Sequence, residues 1–134
     1  MALARAAANQ LKQYITMTTE ETKIENDCLE FLNSLPRSLA VKTPTKGRKI
    51  GNIMVKAGRW ERPGKSDIDW IYWGLSIKIE VKTDHGIQQQ NQKDYEADVA
   101  AAGGEYWLVR SLNELITKVS EFRETELMAW IKQQ

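Results

Sequence analysis

The chain has 134 residues, 42% of them hydrophobic and 28% charged, enough for one domain with its own core and too few for two ordinary ones. No run approaches the roughly 20 apolar residues of a membrane span, and no charged-then-apolar start marks a secretion signal. A single cysteine, Cys28, excludes an internal disulfide and fits a reducing, cytoplasmic setting; a single histidine, His85, excludes zinc sites built from several Cys or His ligands.

The formal net charge of +1 conceals a strong asymmetry. Nine basic residues lie from Arg37 to Lys65, against one acid, Glu61, so this stretch carries +8 and the remainder −7. A basic, turn-rich segment in an otherwise acidic chain is an electrostatic footprint for a phosphate backbone, although an ordinary solvated surface has the same composition.

Taken in chain order, residues 2–17 form an Ala-rich segment with Leu3, Ala7, Leu11, Tyr14 and Ile15 at helical spacing. A second helix is expected over 19–34, where Ile24, Cys28, Phe31, Leu32 and Leu35 make an apolar stripe ended by Pro36. Cys28, on that stripe, is expected to be buried and inert. All three prolines and four of the eight glycines fall in or beside the basic stretch, which therefore reads as strands and loops. Two strands follow, over 66–73 and 75–83, then a helix over 88–102 stopped by Gly103-Gly104. A short strand over 105–110 leads into Ser111-Leu112-Asn113-Glu114, a capping box that opens a last helix. The expected order is α-α-β-β-β-α-β-α, one α/β domain with a mixed sheet.

The two central strands concentrate the polar chemistry. Alternation puts Ile77, Ile79 and Val81 on one face and Lys78, Glu80 and Lys82 on the other; Asp67, Asp69, Ile71 and Trp73 share a face of the preceding strand. A two-residue Trp73-Gly74 turn makes cross-strand partners sum to 147, which sets Asp67 opposite Glu80 and Asp69 opposite Lys78. Opposed Cβ atoms stand roughly 4.5–5.5 Å apart. Two ionised carboxylates that close require a raised pKa, a basic neighbour or a shared cation, and oxygen-only ligation suits Mg²⁺ or Mn²⁺.

Asp67, a thirteen-residue step and Glu80-Val81-Lys82 resemble the PD-(D/E)XK nuclease signature, with Ser66 where that superfamily often has proline. The flanks are similar to its VRR-NUC (viral replication and repair nuclease) branch over about residues 21–119: Glu21-Thr-Lys-Ile24-Glu25 with Phe31-Leu32, Gly64-Lys-Ser-Asp67, Ile79-Glu80-Val81-Lys82-Thr83, Gln92-Lys93, Gly103-Gly104 and Val109-Arg110-Ser111. This resemblance implies a restriction-endonuclease-like mixed β-sheet flanked by helices, with an N-terminal helical extension (1–18), a nuclease domain (19–122) and a C-terminal helical tail (123–134). It implies that Asp67, Glu80, the Val81 carbonyl and Glu21 hold Mg²⁺ or Mn²⁺, with Lys82 orienting the attacking water or neutralising the transition state. Gln92 would support the site or contact phosphate.

The residues also admit plainer readings. Thr18-Thr-Glu-Glu21 is itself a capping box, so Glu21 could serve only its helix, and Glu25, one turn later, is the alternative helix carboxylate. Asp69–Lys78 reads as a cross-strand ion pair, and Gln88, Gln89 and Gln90 as a helix start. Lys46, Arg48, Lys49, Lys56, Arg59, Arg62 and Lys65 are the candidate phosphate contacts, with Trp60 as a base-stacking candidate. The expected function is a divalent-metal-dependent DNA endonuclease selective for branched or four-way-junction DNA, acting as a homodimer, of phage type and working inside its host cell. The alternative is a non-catalytic nucleic-acid-binding module or an interaction subunit of a replication or repair complex.

Overall fold

The computed structural model describes residues 2–43, 49–50, 53–54 and 60–134, with only the backbone described for 13–18, 49, 50, 53 and 54. Its elements are α1 (Ala2–Ser34), β1 (Ser38–Lys42), β2 (Lys49–Ile50), β3 (Ile53–Met54), β4 (Ile68–Tyr72), β5 (Leu75–Val81), α2 (Gln90–Ala101), β6 (Glu105–Val109) and α3 (Leu112–Lys132).

α1 is one continuous 33-residue helix where two were expected. No Gly or Pro interrupts residues 2–34, and Thr18-Thr19 lowers helix propensity by only a few tenths of a kcal/mol per residue, too little to break a helix anchored further on by tertiary packing. Glu21 is therefore mid-helix and caps nothing. The expected domain limits at 18/19 and 122/123 both fall inside continuous helices.

Four strands make the main sheet, in the order β1-β4-β5-β6. β1 and β5 each pair antiparallel with β4, and β6 joins β5 in parallel. A separate two-stranded ribbon, β2-β3, carries part of the basic stretch. Every β4–β5 pair, from Ile68↔Ile79 to Tyr72↔Leu75, obeys the expected register. The tight turn that fixes it has φ of 51° at Trp73 and 80° at Gly74, the left-handed pair required by a two-residue hairpin whose twist matches its strands.

The core lies on one face of this sheet. Ile68, Trp70, Tyr72, Ile77, Ile79, Val81 and Val109 meet Cys28 and Leu32 of α1 and Leu115 and Val119 of α3, all of them buried. Ile24, Cys28 and Leu32 recur every four residues and give this part of α1 a core-facing stripe, whereas residues 2–12 are exposed. Asn33 fastens the helix end to β1, donating to the Leu29 and Ala40 carbonyls (both 3.0 Å) and accepting the Ala40 N–H (2.9 Å). The Ser111 cap holds as expected, its Oγ accepting the Glu114 N–H at 3.1 Å.

α2 packs against the other face, where Tyr106 of β6 meets Tyr95 edge-on with ring centroids 6.1 Å apart. Its start is fixed by a Gln89/Gln92 capping box, in which Gln92 Oε1 accepts the Gln89 N–H at 2.8 Å. Gly64 has φ 83°, and a Cβ there would stand 2.6 Å from the Asn91 carbonyl, so the approach to β4 fits against α2 only without a side chain.

Candidate active site

The alternation read from the hairpin sorts its side chains as expected. Ile77, Ile79 and Val81 are buried in the core, while Asp67, Asp69, Lys78, Glu80 and Lys82 belong to the face that α2 partly covers. Asp69 and Lys78 form the expected cross-strand pair, at 2.8 Å. One step beyond the last β4–β5 pair, Asp67 and Glu80 face each other.

The site is drier than a solvated strand face. Glu80 is 1% exposed and Lys82 9%, with Asp67 half-buried. Asp67 Oδ2 accepts the Val81 N–H at 2.7 Å, which ties the strand entry to the neighbouring strand. Glu80 Oε1 accepts from Gln92 Nε2 at 2.8 Å and has Lys82 Nζ 3.5 Å away. The other oxygen, Oε2, is buried without a hydrogen-bond partner.

Burial is the first cause that raises both carboxyl groups. The Glu80 pKa rises from 4.5 to about 8, with the Asp67 charge as the second cause and Lys82 opposing. Asp67 also rises, against the Val81 N–H and the Lys82 ammonium. Two of the three expected responses of a close carboxylate pair, a raised pKa and a basic neighbour, are thus present together.

α1 brings two more carboxylates. Glu21 is half-buried, raised first by burial, then by Asp67 and opposed by Lys82, which places it within the field of the strand pair. Glu25, one turn on, is buried and has Lys42 Nζ 3.1 Å from its Oε1. Glu25 therefore already has a cation in Lys42, although the Asp67 charge reaches it as well. Val81 meets Asp67 through its amide N–H, which leaves its carbonyl out of this contact.

Among the described residues, no three Asp, Glu, His or Cys side chains gather closely enough to hold a metal ion by themselves. The residues nevertheless fit Mg²⁺ or Mn²⁺ in one respect. Mg²⁺ retains several waters and needs only one or two protein carboxylates, and the opposed Asp67–Glu80 pair offers them, with a buried oxygen that nothing else satisfies.

The basic stretch is placed only in part. Lys46, Arg48, Lys56 and Arg59 lie outside the described residues, and Lys49 is described only by its backbone in β2. Arg62, one of the candidate phosphate contacts, lies beside α2. Its guanidinium stands 2.6 Å from Asp98 and 5.4 Å from the Tyr95 ring centre, because its position beside α2 gives it a carboxylate and an aromatic face. Lys65 is half-buried, Trp60 is 87% exposed and His85 is exposed.

Sequence reasoning gave no role to Tyr106 or Arg110. The Tyr106 hydroxyl accepts from Gln88 Nε2 at 3.2 Å, and its pKa is pushed up by burial and then by the Glu80 charge. Arg110 Nη1 donates to the Thr83 and Gly86 carbonyls at 2.6 and 2.8 Å. Alternation along β6 could have placed Tyr106 and Leu108 on one face; that this face is the one carrying Glu80 needs the parallel register Lys78↔Tyr106.

A cavity of about 810 Å³ opens at the hairpin's other end, between Tyr72, Trp73 and Leu75 and the Phe122–Trp130 side of α3, away from the carboxylates. No protein-family model and no curated protein matches the chain.

Proposed function

We propose that the protein is a divalent-metal-dependent DNA endonuclease of restriction-endonuclease-like fold, selective for branched or four-way-junction DNA. The observation that carries this reading is the convergence of Asp67 at the entry of β4, Glu80 and Lys82 on β5 and just past its end, and Gln92 of α2 in a largely buried cluster, with Glu21 of α1 within reach of its charges. A solvated strand face would need neither a buried Glu80 nor a glutamine reaching from α2 to orient it. The mixed four-stranded sheet flanked by helices also agrees with the architecture that the VRR-NUC resemblance implies.

Mg²⁺ or Mn²⁺ at Asp67 and Glu80 would act as a Lewis acid on a phosphodiester and lower the pKa of water. Gln92 fixes the Glu80 carboxyl group in one orientation by donating to Oε1, and in the ionised form Oε2 would be the free acceptor. Lys82 supplies a positive charge beside that carboxylate, where it can orient an attacking water or offset charge that develops on phosphate. Glu21 adds negative charge at the helix side of the cluster. In this reading the basic stretch tracks the DNA backbone, and affinity falls steeply with salt. A second copy of the chain would let so small a nuclease span a duplex or junction.

The test is cleavage of branched, flap and linear DNA with Mg²⁺ or Mn²⁺ by the native chain, Asp67→Ala and Lys82→Ala. Metal-dependent cutting by the native chain alone supports the reading. Equal cutting by all three removes this site, and DNA binding without cutting would mark a nucleic-acid-binding module instead. Sedimentation showing only a monomer on junction DNA would remove the homodimer.

A further inference from the structure

The loop that follows β5 is folded back over Lys82 and held from the end of β6. Gly86 donates its N–H to the Thr83 carbonyl at 3.1 Å, closing a tight turn over residues 83–86. Arg110 Nη1 then gathers this turn, at 2.6 Å from the Thr83 oxygen, 2.8 Å from that of Gly86 and 3.5 Å from that of Asp84. One guanidinium nitrogen has two hydrogens, so the two short contacts account for both, and the third is too long to be a hydrogen bond of its own.

The turn lies on the stem of Lys82. A Cβ at Gly86 would stand 3.3 Å from both Cβ and Cδ of Lys82, so the glycine backbone is packed against the side chain along its length. The Lys82 N–H donates to the Val109 carbonyl at 3.0 Å, which fixes the start of that side chain to the residue before Arg110. Arg110 is itself anchored, its N–H lying 3.3 Å from Glu114 Oε2 in the first turn of α3. Lys82 is thus bounded by β6 at its backbone, by the turn along its stem and by Glu80 at its ammonium.

We propose that Arg110 is a positioning residue. By holding the 83–86 turn against Lys82, it confines the ammonium to the carboxylate side of the site. This role in catalysis rests on the nuclease reading, whereas the confinement of Lys82 does not. A lysine side chain has four rotatable bonds, and a charge that must meet a reacting phosphate gains from a stem that cannot swing away. Arg110 touches neither the carboxylates nor, on this reading, the substrate.

Two readouts test this, one of them independent of activity. Mass-spectrometric labelling of the full-length chain by acetic anhydride reports how freely the Lys82 amine is reached. Arg110→Met, which keeps the stem and removes every donor, should raise Lys82 labelling about tenfold, and Arg110→Lys, which retains donors, should restore much of the protection. Gly86→Ala leaves Arg110 in place but presses on the Lys82 stem, and should change the labelling in a chain whose melting temperature is nearly native. In cleavage assays Arg110→Met should lower kcat about tenfold or more with KM little changed, and Arg110→Lys should recover part of that loss. Unchanged Lys82 labelling in Arg110→Met overturns the proposal, whether or not DNA is cut and whatever Gly86→Ala does. Altered labelling in Arg110→Met, together with a native chain that cuts no DNA, removes the nuclease reading and leaves the confinement of Lys82 standing. Equal loss in Arg110→Lys and Arg110→Met, at equal melting temperatures, overturns the requirement for a donor at this position.

Discussion

The two faces of the β4–β5 hairpin are made by the same ten or so residues, yet they obey opposite rules. The inner face is apolar, closed and redundant: Ile68, Trp70, Tyr72, Ile77, Ile79 and Val81 are each buried among many neighbours. The outer face divides along its length. Near the turn, Ile71 and Trp73 are about half exposed, and Asp69–Lys78 is an ordinary partly solvated pair. At the far end Glu80 and Lys82 are as buried as core residues although both are ionisable. Burial of apolar groups stabilises the fold, whereas burial of a carboxylate pair opposes it. The polar end is therefore held by the stability of the apolar face behind it.

This contrast can be broken first at the polar end. Asp67→Ala and Lys82→Ala should each reduce metal-dependent cleavage on the order of 100-fold or more, measured as single-turnover rates, without a comparable loss of folding stability. Trp70→Ala should do the reverse: it should cost roughly 3–5 kcal/mol in urea unfolding, because a fully buried ring stacked on Tyr72 at 4.7 Å would leave a cavity. If the two sets of variants affected activity and stability alike, the division of labour between the faces would fail.

A subtler break uses pH. Glu80 is raised from 4.5 to about 8, so between these values the folded chain retains a proton that the unfolded chain has released. Stability should therefore decline as pH rises through this window, and be free of this penalty below about 4.5. Glu21, Glu25 and Asp67 are raised as well and act in the same direction. Melting curves should show a shallower decline for Glu80→Gln. Added Mg²⁺ should raise the melting temperature more at alkaline than at acidic pH, since it binds the ionised pair. The smallest effect belongs to the solvated end: Asp69→Asn should cost no more than about 1 kcal/mol, because Lys78 and Asp69 are both partly in water.

The local features of the hairpin were legible because they need only neighbouring residues. Trp73-Gly74 supplies the two left-handed positions, alternation sorts the faces, and together they fix which residues are opposed. The Ser111–Glu114 cap is equally local. The helix boundary at residue 18 failed for the complementary reason. A pair of threonines resembles a start signal, but an N-cap exists only where the preceding chain is not helical, and nothing in 2–17 forbids helix.

What the sequence determined by itself was the content of the central hairpin: an apolar face, a polar face and Asp67 set across from Glu80. Only the tertiary structure decided what that polar face became. α1 brings the charge of Glu21 to bear on it from more than 40 residues away in the chain, α2 turns Gln92 onto Glu80, and the parallel docking of β6 brings Tyr106 and Arg110 alongside. Strand alternation repeats every two residues and can be read locally. The distance between remote segments is set by how helices and strands share one buried core, which no local pattern encodes.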